Sequence, residues 1–405
     1  MNFKRKLWWA QHRTDVYKYG TILSLVLIVT ISIIYFTYSK FTSTNEATVY
    51  ETTVEPFIKN DYFIASYIDG EWSNEIPGKD DGYGVDKIVC DNGATATWDD
   101  EEWGINIRNA TKKIKCSVYF KKVIKFELLG KTIISSEVAN DDPDNNIRYI
   151  GKDPNNYVYF NCSDYNNQSD SSCEKWRIIG VFKNMTKEDG SKADLVKIIR
   201  DDSFGDFDWD DTQDNNWSKA SLQTILNGEY YNGTYETGAL KNDSTRNAIE
   251  SVVWNLGGSS TDDITASMFY ERERGTNVYK GNPTTWTGKI ALMYPSDYGY
   301  ATSGGTTTNR ATCMATKLYD WDGSGVSDCY SNDYLYKSSY GQWTLTHGSK
   351  ACWHAFMVTS DGYVEHYDDG VYNALGIRPT LYLKSNITIS SGDGSSITPY
   401  NLKLN

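Results

Sequence analysis

The chain has 405 residues, a net charge of −13 and 14% aromatic residues. Its first forty residues carry six Lys/Arg against the single acid Asp15, so the rest of the chain holds about eighteen excess negative charges. That balance argues against nucleic acid as a partner and against adhesion to anionic surfaces by overall charge, and the aromatic content argues against a disordered stalk.

Residues 19–39 form an uncharged apolar run, YGTILSLVLIVTISIIYFTYS, between Lys18 and Lys40. As a helix the run extends roughly 32 Å at ~1.5 Å per residue, which matches a hydrocarbon core of about 30 Å. It exceeds the ~7–15 residues of a cleaved signal's apolar region, and no A-x-A-like site follows it, so an uncleaved signal anchor is expected. Lys4, Arg5, Lys6, Arg13 and Lys18 precede it. The basic flank predicts a cytoplasmic tail over 1–18 and an exterior location for everything beyond Lys40.

Residues 40–60 are polar and read as a stalk. From 61 to 137 the runs YFIASYI, VDKIVC, ATATW, WGINIRN and KIKCSVYFKKVIKFELL alternate with turn residues, which predicts a small β-sandwich. The stretch 139–146, ANDDPDNN, has linker chemistry. All seven cysteines follow Lys40, which fits an oxidising compartment. Sequence proximity suggests Cys90–Cys116, Cys162–Cys173 and Cys313–Cys329. It leaves Cys352 as a buried free thiol or as the partner in a different pairing.

A second unit is expected over 147–405. It opens with strand-like runs, YVYFNC, EKWRIIGVF and DLVKIIRDD. Ser218–Leu226 reads as a helix with Ser218 as N-cap, and Ser244–Leu256 as a second helix stopped by Gly257-Gly258. A third candidate helix is Arg310–Leu318, which carries Cys313. HAFMVTSDGYVEHY and GIRPTLYLKSNITI alternate like a hairpin or sheet strands.

Four segments of this unit carry a family resemblance: WRIIGVF, NNWSKASLQTILNGEYYN, WTGKIALMYPSDYGYATSGG and GIRPTLYLKSNITISSGDGSSITPYNL. They resemble a surface domain of Gram-positive gut-type bacteria that is similar in outline to C-type-lectin-like folds, including the formylglycine-generating-enzyme branch. Trp176, Asn216, Trp217, Leu222, Leu226, Asn227, Arg378 and Pro379 carry the resemblance. It implies an α+β domain with an antiparallel sheet, about two helices and long disulfide-tied loops, and it implies no particular activity. The E-P-N, Q-P-D and W-N-D triplets of sugar-binding C-type lectins are not in the sequence, and the enzyme branch's paired active-site thiol does not map onto this chain.

Asp206, Asp208, Asp210, Asp211 and Asp214 lie in DFDWDDTQD, where acids at alternate positions resemble a calcium loop. Asp211 stands where that loop needs Gly and Trp217 where it needs Glu. A looser calcium site on Asp206, Asp208, Asp210 and Asp214 is weighed against a solvated acidic loop. Asp320, Asp322 and Asp328 repeat the pattern more weakly. His347, Cys352, His354 and His366 cluster near the C-terminus without zinc-site spacing, so ordinary sheet positions are the expectation. Glu271, Arg272, Glu273 and Arg274 read as a solvated segment; a strand that puts both arginines on one face as an anion contact is the alternative. Trp209, Trp217, Trp286, Tyr298, Tyr300 and Trp343 are the candidate ligand-binding rings, since exposed loop aromatics can stack on sugar faces. Core filling is the competing role for such rings.

These features predict a single-pass surface protein, more a binder than an enzyme. Its partners would be the membrane and an extracellular glycan or protein, recognised through loops near 203–217 and 286–346. A non-catalytic envelope structural protein and a metal-dependent extracellular enzyme are the alternatives.

Overall fold

The structure, a computed structural model, describes residues 12–14, 17–31, 62–68, 71–73, 75–109, 113–366 and 370–404. It is a mixed α/β chain, mostly sheets with few and short helices. Helix α1 (His12–Ile31) is long and apolar enough to cross a membrane. Residues 1–11, the remainder of the predicted span beyond Ile31 and the whole 40–60 stalk lie outside the described residues.

The chain divides into two compact units after Lys122. In the first, β1 (Tyr62–Ile68), β2 (Glu71–Ser73), β3 (Tyr83–Cys90) and β6 (Ile114–Lys122) form a sheet in the order β2-β1-β6-β3. β1 runs parallel to β6, and the other pairs are antiparallel. Alternation along β6 sends Ile114, Cys116, Val118 and Phe120 to one buried face. There they meet Ile105, Trp98 and Trp103, contributed by or next to the hairpin of β4 (Thr95–Asp99) and β5 (Gly104–Arg108). Cys90 and Cys116 sit opposite each other in register and are bridged. The small two-layer core thus rests on one disulfide and one packed sheet face.

The predicted first-domain boundary near 137 differs from this division. The hairpin β7 (Ile124–Leu128) and β8 (Lys131–Ser135) belongs to the second unit, because Phe126 and Leu128 point into its core. The main sheet there has the order β15-β23-β13-β12-β10-β9, with β11 also on β12 and β18 on β23. Its strands are β9 (Val138–Ala139), β10 (Ile147–Tyr149), β11 (Tyr157–Phe160), β12 (Glu174–Thr186), β13 (Lys192–Arg200), β15 (Ile249–Glu250), β18 (Ile290–Ala291) and β23 (Thr380–Leu383). A second sheet runs β14 (Asp206–Phe207), β22 (Leu375–Gly376), β19 (Gln342–His347), β20 (Ala355–Val358) and β21 (Val364–His366). Two more pairs, β16 (Val252–Asn255) with β17 (Thr285–Gly288) and β24 (Thr388–Ser391) with β25 (Asn401–Lys403), complete the strands.

The helices are brief: α2 (Ser221–Ile225), α3 (Asp243–Asn247), α4 (Ala266–Glu273), α5 (Pro295–Ala301), α6 (Arg310–Ala315) and α7 (Asp328–Ser331). The first predicted helix starts later than expected. Ala220 precedes α2, Ser218 hydrogen-bonds Asn216 instead of capping, and the chain continues as a π-helical turn over Leu226–Tyr230. The second, 244–256, is a correction. Only α3 is helical, capped by Asn242, and Ile249–Asn255 is drawn into β15 and β16 by pairing with β23 and β17. A β-branched run with helical spacing yields to strand partners supplied from far along the chain. The third predicted helix is shorter, ending at Ala315.

Candidate functional site

The aromatic site expected from sequence is core instead. Trp209, Trp217 and Tyr298 are wholly buried, and Trp343 and Tyr300 almost so. Trp209 packs on Trp217 at 5.1 Å and donates to the Thr344 carbonyl at 3.0 Å. Trp343 donates to the carbonyls of Phe207 and Asn373, and the Tyr298 hydroxyl to that of Gly362 at 2.7 Å. Trp286 is half-buried with its ring 6.2 Å from Trp217. Tyr298 and Tyr300, expected as exposed loop aromatics, lie on α5, every residue of which is buried.

The carboxylate run is likewise a loop brace. Asp210 is buried, and its Oδ1 accepts from the Thr212 amide (2.9 Å), the Thr212 hydroxyl (2.6 Å) and the Asp214 amide (3.0 Å). Its Oδ2 accepts from the Ser221 amide at 3.1 Å, tying the loop to the start of α2. Asp214 accepts from the Asn216 amide, while Asp206 is an exposed strand residue. Burial, then Asp211 and Asp210, push the Asp208 carboxyl above its ordinary value. Asp206, Asp208, Asp210 and Asp214 do not converge as a calcium site: among the described residues, no group of three or more His, Cys, Asp or Glu is placed to hold a metal ion. His347 is buried with its ring nitrogens 3.0 Å and 3.1 Å from the carbonyls of Leu256 and Gly348. His354 and His366 have ring centroids 4.8 Å apart, and His366 Nδ1 lies 3.1 Å from Asp262. Cys352 is a half-buried thiol, and the remaining six cysteines form the bridges Cys90–Cys116, Cys162–Cys173 and Cys313–Cys329.

What the second unit does form is a cleft of about 250 Å³ where four chain segments meet. Asp144 and Asn146 come from the loop before β10, Phe182–Thr186 from the bulged half of β12, Val253 and Asn255 from β16, and Tyr270 and Arg274 from the end of α4. The segment expected to be a solvated charged run is therefore the C-terminal turn of a helix. Thr265 caps its start, and Ala266, Phe269, Tyr270 and Glu273 at helical spacing turn one face inward. Two glycines allow the approach. A Cβ at Gly180 of β12 would lie 2.2 Å from the Ile147 carbonyl of β10, and one at Gly257 would lie 2.1 Å from the Arg272 carbonyl of α4.

The Arg274 guanidinium lies over the Tyr270 ring, 3.3 Å from its centroid, and its Nη1 donates to the Tyr270 carbonyl at 3.1 Å. The Glu273 carboxylate is 3.5 Å from the same nitrogen, and Asp144 is 3.8 Å from Nε. Nη2 is left uncommitted among the described residues, and a quarter of the side chain reaches solvent. The Tyr270 hydroxyl donates to Asp144 at 2.5 Å and accepts from Asn146 at 2.9 Å. Burial first, then the hydrogen bond to Asp144, hold its proton well above the usual phenol range.

Behind this wall lies a buried charge chain. Asp142 accepts from the Asn146 amide and side chain and from Arg148 Nε at 2.7 Å. Arg148 Nη1 donates to Asp297 at 2.8 Å, and the second Asp297 oxygen takes both Lys197 and the Tyr294 amide. Burial opposes ionisation of Asp297, yet Lys197 and Arg148 hold its carboxyl at about 2. Burial pushes the Lys197 ammonium down to about 8 against the pull of Asp297. Burial also opposes the Arg148 charge, but Asp297 and Asp142 hold that guanidinium above its ordinary value. Glu273, wholly buried and bonded to the Ser296 amide and hydroxyl, is pushed up to about 7 by burial. Such a network locks rotamers, so the groups facing the cleft are held before any ligand arrives.

No family model, curated protein or solved structure matches this chain. The cleft's own chemistry is therefore the guide. It offers the uncommitted Nη2 of Arg274, a carboxylate beside it, Asn255, Lys183 and an aromatic wall. Of these groups only Arg274 carried a signal in the sequence, as one of two arginines in a charged run. The others are ordinary polar residues whose convergence depends on the sheet.

Proposed function

We propose that the protein is a membrane-anchored surface protein whose second unit binds an acidic sugar unit of an extracellular glycan. The observation that carries this is that Tyr270 holds both charged groups at the cleft, Arg274 stacked on its ring and Asp144 bonded to its hydroxyl. A fixed guanidinium suits a carboxylate, and the adjacent carboxylate and Asn255 suit hydroxyls. The cleft is smaller than the ~300–1,000 Å³ of drug-sized pockets and fits a single sugar ring. α1 supports the anchor, and the three disulfides support an exterior location. The C-type-lectin-like reading of the second unit belongs to the same proposal. Its support is a mainly antiparallel sheet with short helices and bridged loops.

The test is calorimetric titration of the full-length protein with uronic acids and with the matching neutral sugars. Acidic sugars are expected to bind selectively. Arg274→Gln should weaken them about tenfold or more, the loss of a charge-assisted bond worth ~1.5–3 kcal/mol. Equal binding of neutral and acidic sugars, or none of either by folded protein, would overturn the assignment.

A further inference from the structure

The first unit exposes what the second hides. Across the outer face of its sheet, strand register aligns Trp72, Tyr67, Tyr119 and Lys87 in one row. Phe63 and Lys115 form a second row, also directly opposed. Phe63 and Trp72 are 53% and 56% exposed, the most exposed rings among the described residues beyond α1. The three rings Tyr67, Trp72 and Tyr119 touch pairwise at 5.1–5.7 Å. Lys87 lies 4.4 Å from the centre of Tyr119, and Lys115 lies 5.6 Å and 5.7 Å from those of Phe63 and Trp72. Nothing in sheet stability requires this, since the opposite face already supplies the core.

We propose that this aromatic–lysine face rests on the surface of the bilayer that α1 crosses, against anionic phospholipid headgroups. Two observations select that occupant. The first is composition. Trp and Tyr favour the headgroup level, where an apolar ring and a polar tip are both satisfied, and lysine stems lie along rings while their ammoniums reach phosphate. In an ectodomain so acidic overall, a face with Lys87 and Lys115 outward is one that an anionic surface attracts. The second is position. Thirty residues separate Ile31 from Tyr62, a tether of at most about 110 Å at ~3.6 Å per residue, which leaves the membrane within reach of the face. The rings do not suit a sugar platform, because Trp72 meets Tyr67 and Tyr119 edge-on, at 69° and 63°.

This inference rests on the anchoring reading above, and the test separates the two. Full-length protein is placed in lipid nanodiscs with and without an anionic phospholipid fraction and oxidised by hydroxyl-radical footprinting. Trp353 of the second unit, 45% exposed, is the internal reference. Phe63 and Trp72 should oxidise severalfold more slowly relative to Trp353 in the anionic discs, and K87E/K115E should restore their rates. Equal rates in protein retained by the discs would overturn the docking face and leave the anchor standing. Protein that separates from the discs would overturn both. Protection that follows the number of copies per disc, and not lipid charge, would assign the face to a second copy and overturn the proposal.

Discussion

The outer face of the first unit and the ring-rich interior of the second use the same residue types to opposite ends. Trp72 and Phe63 stand half in solvent, while Trp209, Trp217 and Tyr298 are wholly enclosed. The difference lies in what covers them. Among its described residues the first unit has one sheet and one hairpin, which enclose one face only. The second has two larger sheets and short helices whose apolar faces close over most of the large rings near them, with Tyr319, Trp353 and Tyr372 left exposed. An aromatic residue thus reports a tendency to be covered, and the number of layers decides whether it is.

This contrast can be broken most sharply at Trp217. Trp217→Ala should cost about 4 kcal/mol and unfold the second unit at lower denaturant, as expected for emptying a packed ring site. A shift below about 1 kcal/mol in urea titration would mean the ring is not core. The bridge of the first unit comes next. Removing Cys90–Cys116 as a double Ser variant should cost roughly 3 kcal/mol, by restoring freedom to the unfolded chain. That unit has the smaller core, so it should melt first when the variant is followed by hydrogen exchange.

The buried chain behind the cleft predicts a pH dependence. Glu273 has a folded value of about 7 against an ordinary 4.5, with Arg274 and Asp297 as its charged neighbours. Its raised value means the contribution is fully present below 4.5 and is lost as pH rises through about 7. The ceiling is about 3 kcal/mol. Glu273→Gln should flatten the fall in melting temperature across that window; an unchanged slope would assign the titration elsewhere. Asp297, lowered to about 2, acts oppositely: its contribution is lost only as pH falls through that value. The smallest effect is expected at Trp72, where a Ser substitution should alter stability by no more than about 0.5 kcal/mol in the same urea assay. A large loss there would show that the exposed rings hold the sheet together.

Several features were legible in the sequence because their causes are local. The apolar run containing residues 19–31 needs no partner to be read as a helix. The strands at Glu174–Thr186 and Lys192–Arg200 show their β-branched content directly, and HAFMVTSDGYVEHY does form an antiparallel pair. The three bridges join cysteines close in sequence, where a short loop meets itself most readily. Other features depend on distant partners. Ile249–Asn255 has helical spacing but becomes strand because Leu383, Tyr382 and Thr285–Gly288 offer edges to pair with. Asp210 looks like a cation ligand until the amides of Thr212, Asp214 and Ser221 are seen to fill its oxygens.

By itself, then, the sequence determined the apolar segment, the acidic balance beyond it and the strand-rich character, and it suggested the cysteine pairs, since each follows from neighbours along the chain. Tertiary structure alone decided which rings are covered, which carboxylates are already spent on amides, and that Asp144, Asn255, Tyr270 and Arg274 share one cleft. Residues more than a hundred positions apart meet only through sheet order and helix docking, and no local propensity encodes that meeting.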